Sequence, residues 1–161
     1  MSAIEIRDAT VDDAALVLKM IKELAASEHA SGAVSATEAD LRESLFGEHA
    51  TAGAAICRVD SVDAGFAVYF FNFTTRQGTR GLCLEDLYVS PPYRDTGAGE
   101  ALLKHLARIA VARRCSRMMW SVQDWNERAT QFYRSIGMKP LNALLGRQMS
   151  GRALEEFSGC P

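Results

Sequence analysis

The stretch "EDLYVSPPYRDTGAGEALLKHLARIA", residues 85–110, decides how the rest of the chain is read. It opens as an apolar run that carries two adjacent acids, Glu85 and Asp86. Pro91 and Pro92 end that run; Arg94 follows, then Gly97 and Gly99. Beyond them Leu102, Leu103, Leu106, Ile109 and Ala110 recur at helical spacing, with Lys104, Arg108 and Arg113 on the other face. The order is strand, glycine turn, helix. A helix start presents amides that have no partner inside the helix, together with the positive end of its dipole. Glycines there let a ligand approach the backbone closely. The combination suits an anion, most often a phosphate. The same residues also read as a plain loop ahead of a glycine-rich helix start. A P-loop is ruled out, since no Gly-Lys-Ser/Thr follows. A dinucleotide fingerprint needs a third glycine where Leu102 stands, although Asp124, past the next strand, keeps that alternative open.

Upstream, residues 4–8 (IEIRD) alternate as a short strand does. Thr10 and Asp13 make a capping box for a helix whose buried face is Leu16, Val17, Met20, Ile21 and Leu24. Residues 27–36 read as a loop. Thr37 and Asp40 open a second helix through Phe46, stopped by Gly47. Residues 52–59, 65–73 and 82–89 are three strands, and the short joins predict antiparallel hairpins. Downstream, 117–122 reads as a strand. Asn126 caps a helix to about Ile136, ended by Gly137. The tail holds one or two strands and a short helix near 151–157. Antiparallel strands followed by a strand–helix–strand crossover predict an α/β (α+β) fold. Its central sheet is mixed and mostly antiparallel, of about six or seven strands with helices on both faces. One domain over residues 1–161 is expected.

Composition narrows the function. The chain has 161 residues, 48% hydrophobic and 24% charged, with a net charge of −2. That balance supports a buried core and argues against a nucleic-acid or anionic-membrane partner, which would call for a basic face. The four cysteines are scattered, without a C-x-x-C or a nearby histidine, so no metal site is expected and a reducing cytoplasm is the simplest compartment. No apolar run reaches membrane-helix length.

The motif Arg94-x-x-Gly97-x-Gly99, after a strand ending Leu87-Tyr88-Val89 and before a long helix, resembles the acetyl-CoA loop of the GNAT acetyltransferases. "LEDLYV", "YRDTGAGEALLKHLARIA", "CSRMMWSVQDWNERATQFYRSIG", "IKELAASE" and "FGEH" together resemble the diamine acetyltransferase subfamily, which acts on spermidine, spermine and thialysine. The likeness runs from about residue 4 to residue 140. It implies the GNAT acyltransferase fold, acetyl-CoA as co-substrate, a small primary amine as acceptor and a homodimer. It also implies that Arg94, Asp95, Thr96, Gly97, Ala98, Gly99 and Glu100 hold the CoA pyrophosphate, chiefly by backbone N–H. Pantetheine would lie along Leu87, Tyr88 and Val89, with the Leu87 amide on the thioester oxygen, where one donor contributes a few kcal/mol to the transition state.

The acids and a tyrosine carry the chemistry. An amine nucleophile lies about three pKa units from neutral at pH 7, roughly 4 kcal/mol, and needs a base. By resemblance Glu85 attracts and deprotonates the amine, and Asp86 binds the cation or holds the strand. In a regular strand the two would face opposite sides. They also read as acids near an exposed strand end. Tyr133 would protonate the departing thiolate; its alternative is an amphipathic core tyrosine. Asn126 serves as an N-cap, and by resemblance lies beside CoA. Ser27 and Glu28 fall where the subfamily keeps substrate-facing residues. His105 reads as structural, and His29, beside Glu28, as a residue at the substrate mouth. The turn 74–80 departs from the polyamine enzymes: it has Arg76 and Arg80 where they carry an acid and an aromatic. A substrate with its own carboxylate, lysine-like or thialysine-like, fits those arginines as well as a polyamine fits the family. Two other classes stay open: acetylation of a protein lysine or N-terminus, and a non-catalytic acyl-CoA-binding module.

Overall fold

The computed structural model describes residues 2–28, 34–122, 125–141 and 149–159. They fall into two compact units, Met1–Ser121 and Val122–Pro161. The first contains β1 (Ile4–Asp8), α1 (Ala14–Ser27), α2 (Glu38–Phe46), β2 (Ala52–Val59), β3 (Val62–Thr74), β4 (Thr79–Val89), α3 (Ala98–Ala112) and β5 (Cys115–Trp120). Its sheet runs β1-β2-β3-β4-β5. The first three pairings are antiparallel and β4–β5 is parallel. Five strands are present among the described residues, fewer than the six or seven expected. Residues 142–148, where tail strands were expected, lie outside the described residues, as does His29.

Local chemistry explains the elements. The Thr10 N–H and hydroxyl both donate to the Asp13 carboxylate, at 2.8 and 3.2 Å. Arg7 grips the same carboxylate with two nitrogens at 2.7 and 2.8 Å. A short 3-10 turn at Val11–Asp13 therefore leads the chain from β1 into α1. Thr37 caps α2 through the Asp40 amide and Gly47 ends it, as the sequence implies. β2 and β3 join through Asp60 and Ser61 alone, both at positive φ (49° and 69°). That is the geometry of a type I′ hairpin, and it lets β3 start at Val62, three residues before the expected run 65–73 begins.

Both faces of the sheet are covered. Val17 and Met20 of α1 and Leu45 of α2 pack with Ala54, Ile56, Phe66 and Tyr88. Alternate strand residues point the other way, toward α3, whose buried side is Ala98, Leu102, Leu103, Leu106 and Ala110. Ala55, Cys57, Ala67 and Leu82 are fully buried on the sheet. The second unit contains α4 (Glu127–Ser135) and α5 (Gly151–Ser158). Asn126 caps α4, its side chain accepting from the Ala129 N–H at 3.1 Å, and Gly137 follows the helix at φ 87°.

Candidate active site

β4 is paired along its whole length on one side and only half its length on the other. With β3 the ladder runs from Thr79 to Val89. With β5 it covers only Arg80–Leu84, so among the described residues Glu85–Val89 have no strand partner on that edge. Backbone parity shows which groups face the opening. The Ser90 N–H donates to the Ala64 carbonyl, at 2.8 Å, toward β3. Tyr88 and Asp86 share that side, so the N–H and C=O of Leu87 and Val89 point to the open edge. The Val89 carbonyl accepts from Arg94 Nε at 3.1 Å, which leaves the Leu87 backbone and the Val89 N–H presented there.

The turn that follows is built from side-chain and backbone bonds. A 3-10 turn at Pro91–Tyr93 reverses the chain. The Thr96 hydroxyl donates to the Tyr93 carbonyl at 2.7 Å. Asp95 sits at φ 66° and Gly97, the N-cap of α3, at φ 93°. A side chain at Gly97 would be strained by that backbone whatever space it had. The first bond inside α3 runs from the Ala101 N–H to the Gly97 carbonyl, 2.9 Å. The helix therefore offers no acceptor to the amides of Ala98, Gly99 and Glu100. Gly99 is different from Gly97. A Cβ added there would meet only Val89 Cγ2, at 4.0 Å. Among the described residues nothing else crowds that position, so the space in front of the helix start is open. Glu100, which would repel an anion, is paired with Lys104 at 2.8 Å.

The acids stand where β4 loses its regularity. Val68 faces Asp86 and Tyr69 faces Leu84, so Glu85 is the extra residue of a bulge. The strict alternation expected for Glu85 and Asp86 fails for that reason. Glu85 is exposed and Asp86 is half-buried. Burial pushes the Asp86 carboxyl up to about 6, helped by the charges of Glu85 and Glu28. A carboxyl poised near neutrality is a common property of functional sites. Glu28 ends α1, and Ser27 donates its hydroxyl to the Leu24 carbonyl at 2.7 Å, so Ser27 also finishes the helix. Tyr88 is a core residue, its ring 6.3 Å from that of Phe66, and its N–H and C=O face β3, so unlike Leu87 and Val89 it does not present the backbone groups to the open edge that the sequence reading expected. Asn126 and Tyr133 belong to the second unit. There Tyr133 is half-buried on α4, its ring 5.6 Å from Phe132. His105 reaches Asp8 at 2.9 Å, a structural link from α3 to β1.

Arg80 does not share the face of the acids. Arg80 lies on the α3 side of the sheet, beside Arg113 and Arg114. On the opposite face, the face of Asp86, stands Arg117 of β5. Its Nη2 donates to Asn72 Oδ1 at 3.0 Å. The two side chains meet directly above Gly81, where a Cβ would lie 2.5 Å from Asn72 Oδ1. An arginine inside an otherwise apolar strand was the only signal in the sequence.

The free edge of β4, the bulge that bears the acids and the glycine-opened start of α3 are thus contiguous along the chain. Residues 18–138 match the model of the acetyltransferase (GNAT) family, and the chain belongs to that family. It is 32% identical over 170 residues to the thialysine N-epsilon-acetyltransferase of Bos taurus, with 99% of each chain covered. It is 34% identical over 150 residues to the human spermidine/spermine N(1)-acetyltransferase-like protein 1, covering 89% of this chain and 21% of that one. An integron cassette protein of V. cholerae has the same fold, with a TM-score of 0.80 at 28% identity, covering 96% of this chain and 97% of that one. The chain is an acetyl-CoA-dependent N-acetyltransferase.

Proposed function

We propose that the protein acetylates a primary amine of a small molecule, a diamine, polyamine or lysine-like compound, in a ternary complex. The observation that carries this is the unpaired β4 edge leading straight into the open amides of α3, with Asp86 beside it. The names of relatives, one of them matched over 99% of its length, point to the same acceptor class. Gly99, with open space in front of it, fits a ligand pressed against the helix start.

Residues 94–100 hold the pyrophosphate by backbone amides, and Leu87 and Val89 align the pantetheine by theirs, with Tyr88 anchoring the strand between them. Acetyl-CoA supplies an activated acyl thioester. The Leu87 N–H orients the thioester oxygen and stabilises the charge that develops on it. Asp86, with Ser27 and Glu28 near the same mouth, draws the cationic amine. Glu85 takes the proton the amine gives up, directly or through water. Tyr133 returns a proton to the departing sulfur, and Asn126 flanks the coenzyme. No metal and no covalent enzyme intermediate is required. The chain acts as one GNAT domain over residues 1–161, in the cytoplasm, as a homodimer; among the described residues no helix is long and apolar enough to cross a membrane.

The test is a thiol-release screen with acetyl-CoA against diamines, polyamines, lysine analogues, aminoglycosides and peptides. Small amines should release thiol. Tyr133→Phe should then lower kcat about 10²- to 10⁴-fold, while calorimetric CoA affinity changes far less. Thiol release with peptides alone would reject the small-amine assignment.

A further inference from the structure

Arg117 has no counterpart in the chemistry described so far. It emerges from β5 on the same face as Asp86, as register shows. Val68 lies opposite Asp86 and Asn72 opposite Gly81. β3 alternates without a break between them, so Val68, Phe70 and Asn72 share one face. Asn72 holds Arg117 by a 3.0 Å hydrogen bond, and anchors its own amide nitrogen on Met119 Sδ at 3.3 Å. Gly81 is what allows this, since any side chain there would collide with both. Among the described residues no carboxylate pairs with Arg117. A guanidinium aimed by a neutral amide, half-buried and without a counter-ion, keeps most of its donors for a ligand.

We infer that Arg117, aimed by Asn72 across Gly81, binds the carboxylate of the acceptor. The substrate would then be a short amino acid with a terminal primary amine rather than a diamine. The inference rests on the acetyl-transfer reading above and specifies its substrate class. The dimensions agree. From Gly81 to Asp86 is five residues of strand, about 16 Å at the usual rise, less what the bulge removes. An extended amino acid with its amine five bonds beyond Cα spans about 8 Å from carboxylate to nitrogen. A hydrogen bond of about 2.8 Å at each end brings its reach to about 14 Å. Between the two ends stand Cys83 and Phe70, paired across β3 and β4, and Met119 beside Cys83, with the Glu85 carboxylate at the bulge on the amine side. Methylene groups suit that floor. A diamine of the same length would instead bring its second cation to a guanidinium.

The experiment compares L-lysine with 1,5-diaminopentane, the same skeleton without the carboxylate, by thiol release in the full-length protein. Wild type should show kcat/KM for lysine at least about tenfold above that for the diamine. Arg117→Gln should raise KM for lysine about tenfold to hundredfold with a smaller change in kcat, bringing the ratio close to one. Asn72→Ala, which removes only the aiming group, should move the ratio in the same direction by less. Arg117→Lys should recover part of it, because the charge returns without the fork. Thermal melts of each variant separate a folding defect from a recognition defect. A wild-type preference for the diamine overturns the inference while acetyl transfer stands. An Arg117→Gln variant that loses both substrates equally also overturns it. Thiol release with no amine of either kind removes the acetyl-transfer reading itself.

Discussion

Replacing Asp86 by Asn should stabilise the ligand-free protein at pH 8 and weaken it as an enzyme. In the folded state the Asp86 carboxyl is raised from 3.8 to about 6, first by burial and then by the charges of Glu85 and Glu28. The folded protein therefore binds more protons than the unfolded chain between pH about 4 and about 6. Stability associated with this group is present below the lower value and lost as pH rises through the upper one. Two units would correspond to about 3 kcal/mol. Asp86 is only half-buried, and solvent screening reduces the figure to about 1–2 kcal/mol. At about 2–4 °C per kcal/mol for a chain of this size, Asp86→Asn should melt about 3–6 °C higher at pH 8. At pH 3.5 the two proteins should melt together. The assay is a series of melts from pH 3.5 to 8 without coenzyme. Activity should move the other way: below pH 6 the wild-type log kcat/KM for the amine should steepen by about one unit per pH unit, and the variant should lose that extra slope. A gain in melting temperature that does not change with pH, or a variant less stable at pH 8, would refute the reasoning.

Other substitutions separate the coenzyme loop from the scaffold. Gly99→Ala meets only Val89 Cγ2 at 4.0 Å, so it should fold as well as wild type and, by calorimetry, bind CoA at least about tenfold more weakly. Gly97→Ala, at φ 93°, should lose stability as well as affinity, by about 1–2 kcal/mol in urea unfolding. Asp13→Asn removes the carboxylate that Arg7 and Thr10 share, which Arg7 holds down to about 2. It should cost about 1–2 kcal/mol at pH 7, and the difference should fade as pH falls from about 4 toward 2, where the wild-type carboxylate also protonates. A difference that persists at pH 2 would mean that packing, not charge, is lost.

The elements that the sequence marked were those with chemical punctuation. β1 and β2 have the expected bounds, and α2 has its cap and stop at Thr37 and Gly47. The glycine turn was legible because glycine has few other reasons to open a helix. What stayed hidden depends on register. The bulge at Glu85 leaves no trace in the composition of β4, yet it decides how the two acids stand. β5 was read two residues late: Cys115 and Ser116 look like a loop but lie against Arg80 and Thr79, where Ser116 accepts from the Thr79 hydroxyl at 2.8 Å. The same register puts Arg80 on the α3 side and Arg117 on the Asp86 side. One sequence cannot show which strands are neighbours, so it could not show which arginine shares a face with Asp86.

The bulge and the open edge are two aspects of one structural fact. β4 keeps its parallel partner through Leu84 and loses it at Glu85, the residue where the bulge begins. A bulged strand twists away from its neighbour, so the insertion that displaces the acid also releases the edge beside it. An unpaired edge is a liability in a soluble protein, open to pairing with another chain. It persists here over Glu85–Val89, where among the described residues the Leu87 backbone groups face outward with no strand to bond. A pantetheine lying along that edge would satisfy them as a sixth strand does, and would place its thioester at the bulge acids in doing so. On the proposed reading, binding the coenzyme would complete the sheet and assemble the reaction centre in a single event. Its contribution to stability should follow mass action, about 2.7 kcal/mol at a hundredfold excess over Kd. Hydrogen exchange should show protection at the Leu87 and Val89 amides as CoA is added, with the β3-facing amides of Asp86 and Tyr88 unchanged.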